Sequence, residues 1–308
     1  MKTLRHILWL TVGVLMVACQ SPYQTDEGFI FGTVYRVTYQ YHSDLQDDIV
    51  EVLNKVDGEF SMFNERSTVA RINRGEEVTT SAMYDEVFKL AVEINQDTQG
   101  AFDVTVAPLV NAWGFGFKNE LMPTREQVDS LLKIRNQYDF SAIAKGYGCD
   151  AVAALLSSKG IRNFMIEIGG EVVVSGQNPK QGLWRIGVTK PTDDSLNISN
   201  EMQAVLAVTD QAMATSGNYH NFYYKDGQKY AHTIDPRTGY PVQHSILSAT
   251  VFSESCAKAD AYATAFMVMG LDEARRLLER HADLKAYLIY TDEAGEYAVW
   301  QSDSLNIE

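Results

Sequence analysis

Cysteine is scarce in this 308-residue chain, which contains only Cys19, Cys149 and Cys256. None of the three stands in the paired spacing that structural zinc or iron–sulfur sites use, so a cysteine-based metal centre is excluded. Cys149 and Cys256 can form a disulfide only if their Cα atoms approach closely, which the sequence does not decide. Two buried free thiols are the simpler expectation.

Positive charge is also in short supply. Lysine and arginine number 26 against 40 aspartates and glutamates, for a net charge of −14. Nucleic-acid binding is therefore not expected, because phosphate contacts need a basic surface. The chain has no internal repeat, no low-complexity tract and no Pro- or Ser-rich linker. With 45% hydrophobic residues it can form a sizeable core, and a single mature domain is the simplest prediction.

Long hydrophobic runs are missing as well. The run at residues 7–18 follows Lys2 and Arg5 and is too short to span a bilayer comfortably, which is typical of a signal peptide. Residues 15–19 look like the lipobox of bacterial lipoproteins, although Met16 departs mildly from the commonest pattern. We predict a signal peptide at 1–18, lipidation at Cys19, a tether over 19–28 and the domain over 29–308. The alternatives are an ordinary secreted protein or a buried first strand.

Hydrophobic periodicity predicts a mixture of helices and strands. Helices are expected at residues 44–60, 81–98, 126–132, 145–159 and 272–280. Strands are expected at residues 31–41, 163–168, 172–176, 184–188, 203–209, 286–290 and 297–301. Because they do not alternate strictly as βαβ units, the pattern favours an α+β fold.

Several segments carry small and polar residues where packing alone does not require them. Residues 100–116 could form the wall of a pocket for a flat ring, or simply a helix end followed by an edge strand. Residues 139–148 lead into a predicted helix carrying Lys145, where free N–H groups could hold a phosphate. That segment lacks the Walker spacing, and a tight strand-to-helix turn is its alternative reading. Gly169-Gly170 could let the backbone approach a ligand closely.

Two further segments hold titratable groups. His232 precedes the turn-forming run 235–239 and is the best-placed proton acceptor, although a lone histidine is more often structural. Asp260 and Thr264 stand four residues apart, on one face of a predicted helix. Their oxygens suit Mg²⁺, whereas the alternative is an Asp that stabilises the first turn of a helix.

Together, in this order, the segments resemble the FAD:protein FMN transferases of the ApbE family, from about Phe31 to Gly270. The residues that carry the resemblance are 31–35, 60–63, 100–109, 113–116, 139–148, 168–171, 214–219, 232–241 and 259–264. The resemblance implies a single α+β domain of the T-fold-like ApbE type, with a mixed sheet and flanking helices.

The resemblance also implies residue roles. Asp260 and Thr264 would be side-chain Mg²⁺ ligands, joined by the backbone carbonyls of Ala142 and Ala263, and His232 would act in catalysis. The residues at FAD-contacting positions are Phe31, Phe63, Ala101, Phe102, Asp103, Asp139, Lys145 and Ile234. Departures from the family pattern are Phe31 for a frequent Met, Phe63 for a frequent Tyr, and Ser141-Ala142 for the usual Gly-Gly.

The implied reaction is Mg²⁺-dependent transfer of FMN from FAD to a Thr or Ser hydroxyl of a partner redox protein, with release of AMP. The resemblance places the acceptor in a Ser/Thr-Gly-Ala-Ser/Thr sequence of a periplasm-facing redox subunit. We expect the enzyme itself on the periplasmic side of the inner membrane, held by a lipid anchor. One alternative is an FAD pyrophosphatase that uses water instead. Another is a non-catalytic flavin-binding lipoprotein, which would need neither His232 nor the Asp260/Thr264 pair.

Overall fold

The computed structural model describes residues 22–115, 122–190, 202–217, 222–225, 228–231, 233–243, 246–303 and 305. Its helices are α1 (Gln46–Phe60), α2 (Thr68–Asn73), α3 (Ala82–Asp97), α4 (Ala107–Ala112), α5 (Arg125–Leu131), α6 (Ala144–Ser158), α7 (Cys256–Met269) and α8 (Leu271–Leu278), with a short 3-10 helix at Val104–Val106. Its strands are β1 (Tyr23–Ile30), β2 (Thr33–Gln40), β3 (Phe164–Ile168), β4 (Glu171–Ser175), β5 (Trp184–Thr189), β6 (Met202–Val208), β7 (Gln211–Gly217), β8 (Phe222–Lys225), β9 (Gln228–Ala231), β10 (Ile246–Ser253), β11 (Lys285–Thr291) and β12 (Tyr297–Gln301).

Eight of these strands form one sheet in the order β1-β2-β3-β4-β7-β10-β11-β12. The predicted α+β class is confirmed, but the pairing differs from the expected mixed sheet. Every neighbouring pair among these strands is antiparallel. The physical reason is visible at β3 and β4, where the two-glycine turn Gly169-Gly170 reverses the chain directly. A parallel pair would need a crossover connection there.

The two faces of the sheet are covered by different partners. Along β11, Ala286 and Leu288 join the core that includes α3, α6 and α7 residues, whereas Tyr287 and Ile289 join a second core against the hairpin β5–β6. This alternation is the period of two that a strand imposes on its side chains. The domain therefore has three layers: helices, the central sheet, and the small β5–β6 sheet.

The N-terminal boundary of the fold is corrected by β1. Within the described range, residues 23–28 of the predicted tether are strand, paired in register with β2 from Tyr23–Gln40 to Ile30–Thr33. Asp26 is buried there and accepts a hydrogen bond of 2.7 Å from the Tyr39 hydroxyl. The polar composition of this segment concealed an edge strand, because an edge strand exposes half of its side chains. Cys19 itself lies outside the described residues.

The other predicted elements match within a few residues, and their ends show why. Ser81 caps α3 by accepting from the Tyr84 N–H, and Thr124 and Gln127 form a reciprocal capping box on α5.

The alternative of an edge strand after Gly100 is wrong, because the 3-10 helix and α4 follow it. Cys149 and Cys256 are buried free thiols, as expected. Among the described residues, no helix is both long and apolar enough to cross a membrane.

Candidate active site

A large cavity with a volume of about 1050 Å³ is lined by residues of α4, α6 and α7, of the central sheet and of β5. Many of its lining residues belong to the segments that the sequence analysis singled out. They are residues 101–103, the turn before α6, the glycine turn before β4, and residues 233, 234 and 236. The cavity continues along the sheet surface toward β3 and β5. Beyond the predicted residues, its lining includes Met165, Glu167, Glu171, Arg185, Thr215, Ser216 and Thr233.

The cavity wall contains a buried charged cluster, formed by Lys145, Glu171 and Asp260. The Lys145 ammonium donates a 2.7 Å hydrogen bond to Glu171 Oε1 and lies 3.7 Å from Asp260 Oδ2. Both carboxylate residues are only 2% exposed. Burying charges this completely costs several kcal/mol per ion unless each is paired, so the three groups depend on one another.

Close packing of α6 against α7 assembles the cluster. Gly146 lies so near α7 that a Cβ there would come within 2.4 Å of the Cys256 carbonyl oxygen. This contact lets the Gly146 N–H donate to Asp260 Oδ2 at 3.1 Å. The N-terminus of α7 is fixed by Asp150 of α6, whose carboxylate accepts from the backbone N–H groups of Cys256 and Ala257 at 2.8 and 2.9 Å.

Glu171 reaches the cluster from the sheet. It is the first residue of β4 and follows Gly169 and Gly170, whose φ angles of +62° and +108° lie in the region that favours glycine. The tight turn places the start of β4 beside the first turn of α6, which carries Lys145. The turn thus determines where the Glu171 carboxylate stands.

The three ionisable groups of the cluster shift one another's pKa values. Burial raises the pKa of Glu171 and of Asp260, and the charge of Lys145 only partly opposes this. Burial acts to lower the pKa of Lys145, but the charges of Asp260 and Glu171 outweigh it and raise that pKa above its ordinary value. Two acids share one base, so the cluster carries one net negative charge when both acids are ionised.

Asp260 and Thr264 line the same cavity from successive turns of α7, which confirms that they share a helical face. Thr264 Oγ1 lies 3.1 Å from Ser216 Oγ on β7. The alternative, an Asp that stabilises the first turn of a helix, is wrong, because α7 begins at Cys256 and has no acidic residue in its first turn. The burial of Asp260 follows from α7, which is apolar on almost every side.

Known proteins resemble this chain in sequence and in fold. The family model for the "ApbE family" matches residues 31–288. The chain belongs to the ApbE family. It is 34% identical to the FAD:protein FMN transferase of Vibrio cholerae, over 92% of this chain and 94% of that protein. It is 32% identical to the one from Haemophilus influenzae, over 96% and 94%. The solved flavin transferase ApbE from Vibrio cholerae superposes with a TM-score of 0.82 at 32% identity, covering 92% of this chain and 98% of that one.

Most of the positions that the ApbE resemblance assigned to FAD and the metal meet in the cavity. The predicted residues on its walls are Ala101, Phe102, Asp103, Asp139, Ala142, Lys145, Ile234, Asp260 and Thr264. Asp103 caps the 3-10 helix by accepting from the Thr105 N–H at 2.8 Å, and its other oxygen pairs with Arg135 at 2.6 Å. Ile234 is fixed by a β-bridge to Pro241 across the predicted turn.

The structure does not bring every predicted residue to the cavity. Phe31 packs its ring against Gly148 of α6, and Phe63 is 76% exposed. Ala263 is buried inside α7, where main-chain carbonyls normally accept the helical hydrogen bonds. These three assignments stay predictions from the resemblance. His232 lies outside the described residues, although the next residue, Thr233, lines the cavity.

Sequence reasoning missed the part that Glu171 plays in the cluster. Its signal was present: a glutamate directly follows a two-glycine turn and precedes Val172, Val173 and Val174 in a buried strand. A charged residue at the start of such a strand needs a partner. The sheet-side extension of the cavity at Glu167 and Arg185 was also missed, because strand residues there are separated by long stretches of chain.

Gly146→Ala should destabilise the protein, because the new methyl group collides with the α7 backbone at the cluster. Overpacking of this kind costs roughly 1–3 kcal/mol. Gly58→Ala is the matched control: Gly58 is also helical, in α1, and its added Cβ meets nothing within 4 Å. There the change should be neutral or stabilise by about 0.5–1 kcal/mol. Urea unfolding measures both, and equal effects of the two changes would contradict the close packing described here.

Proposed function

We propose that this chain is a Mg²⁺-dependent FAD:protein FMN transferase, which attaches FMN through a phosphoester to a Thr or Ser of a partner redox protein. The observation that carries the proposal is the buried Lys145–Glu171–Asp260 cluster in the wall of a cavity of about 1050 Å³. Family membership supports the same reaction. A cavity of this size can enclose much of a dinucleotide, since drug-sized ligands use roughly 300–1,000 Å³.

The cluster fits a divalent cation. With both acids ionised it carries one net negative charge, and Glu171 Oε2 is a buried oxygen with no hydrogen-bond partner. Within the described residues no group of three His, Cys, Asp or Glu side chains is arranged as a metal cage. That agrees with Mg²⁺, which is typically held by one or two carboxylates together with waters and substrate phosphates. Asp260 and Thr264 would hold it, with the carbonyls of Ala142 and, by resemblance, Ala263. The bound ion would neutralise charge on the phosphoryl oxygens.

The remaining residues bind and orient the substrates. Lys145 supplies a positive charge in the cavity wall that suits the FAD pyrophosphate. The buried wall at Ala101, Phe102 and Ile234 supplies an apolar surface for a flat ring. By resemblance, His232 takes the proton of the incoming hydroxyl, and AMP leaves.

The test is an incubation of purified protein with FAD, Mg²⁺ and a peptide containing a Ser/Thr-Gly-Ala-Ser/Thr sequence. We expect flavin to stay on the peptide after denaturation. Asp260→Asn should lower the rate about 100-fold or more, because metal-assisted charge stabilisation is worth several kcal/mol. Asp48→Asn, at an exposed partner of Lys159, should leave the rate unchanged. Release of free FMN and AMP would instead indicate a pyrophosphatase, and intact FAD would indicate binding without turnover.

We also propose that Cys19 carries a lipid that anchors the protein at the periplasmic side of the inner membrane. The support is the sequence pattern of residues 1–19. Buried acyl chains contribute about 0.8 kcal/mol per methylene, and more than one chain is needed for stable anchoring. Cys19→Ala should move the protein from the membrane fraction to the soluble periplasmic fraction. Continued membrane association of that variant would contradict lipidation at this residue.

A further inference from the structure

Glu171 is the one member of the buried cluster that the reaction described above does not use. Its side chain is 3% exposed, and Oε2 has no hydrogen-bond partner. A buried glutamate with an unsatisfied oxygen is unfavourable for folding, and a whole buried ion pair of this kind can often be replaced by apolar residues without loss of stability. Stability therefore gives a poor account of Glu171, and its contacts point to a functional role.

The contacts of Glu171 are directed at Lys145. Oε1 of Glu171 accepts a hydrogen bond of 2.7 Å from the ammonium, whereas the nearest Asp260 oxygen is 3.7 Å away. The same oxygen of Asp260 is held at 3.1 Å by the Gly146 N–H. Glu171 thus has the shorter of the two ion pairs that Lys145 makes in this cluster.

Two carboxylates compete for one ammonium, and the fold settles the competition in favour of Glu171. Lys145 is in the first turn of α6, between the start of β4 and α7. Without an anion on the β4 side, the side chain would shift to Asp260, because a buried ammonium needs a close counter-charge. A lysine bonded directly to Asp260 would occupy the carboxylate that a cation needs.

We infer that Glu171 is a positioning residue: its carboxylate holds Lys145 away from Asp260 and so keeps Asp260 open to a divalent cation. This inference rests on the proposed function, since it assumes that Asp260 binds the cation. Glu171 would act on the metal site through Lys145, without contact to the reacting atoms.

The test is direct binding of Mn²⁺, a paramagnetic stand-in for Mg²⁺, measured by electron paramagnetic resonance on the full chain with ADP present. ADP supplies a diphosphate that the proposed reaction does not consume. Glu171→Gln should raise the Mn²⁺ Kd about tenfold or more, the usual size of an effect from a residue that orients a metal ligand. Glu51→Gln is the matched control, because Glu51 also pairs with a lysine at 2.7 Å but on the exposed surface of α1. Its Kd should not change.

A double-mutant cycle separates positioning from simple loss of charge. If Lys145 covers Asp260 once Glu171 is neutral, Lys145→Met should restore Mn²⁺ affinity much more in the Glu171→Gln background than in the native one. Additive effects of the two changes would overturn the inference, because they would mean that Glu171 acts only through its charge or as a direct ligand.

Two further variants make each failure distinguishable. Glu171→Asp keeps the charge but withdraws it by one methylene, so it should also weaken Mn²⁺ binding; unchanged affinity would overturn the inference even if Glu171→Gln fails to fold. Asp260→Asn tests the metal site itself. If Asp260→Asn loses Mn²⁺ binding while Glu171→Gln keeps the native affinity, only the positioning role of Glu171 is refuted. Native affinity in Asp260→Asn removes the proposed cation site as well.

Discussion

The ion pair between Lys145 and Glu171, beside Asp260, is the interaction on which the site depends. It joins three elements that are distant in the chain: the first turn of α6, the start of β4 and the middle of α7. The two carboxylates are almost fully buried and the Lys145 side chain is 27% exposed, so each carboxylate depends on the ammonium for compensation. The cluster therefore constrains the position of both helices relative to the sheet.

The surrounding fold is organised so that this cluster can exist. Apolar α7 carries Asp260 into the core, and the glycine at 146 allows α6 to approach closely enough to donate a backbone hydrogen bond to it. The antiparallel hairpin β3–β4 supplies the third group through its glycine turn. The opposite face of the sheet is packed by β5–β6, and β5 joins the helical side in lining the cavity.

Local sequence patterns predicted most of the helices and part of the candidate site. Helix periods and caps placed α1, α3, α6 and α8 within a few residues, and the Asp260/Thr264 spacing correctly placed both on one face of α7. Nonlocal contacts were harder. Strand β10, whose residues are buried on both faces, lacks the alternation that identifies a half-buried strand. The pairing of Glu171 with Lys145 spans 26 residues and depends on tertiary packing, so no local pattern reveals it.

The most direct test of this account is where a cation binds. Crystals soaked with Mn²⁺ and ADP would locate the ion by its anomalous scattering. We expect a peak in contact with an Asp260 oxygen, at roughly the 2 Å of a Mg²⁺-type bond, and beside the Thr264 hydroxyl. A peak elsewhere in the cavity, or none beside the diphosphate, would contradict the claim that the buried cluster on α7 forms the metal-binding centre of this enzyme.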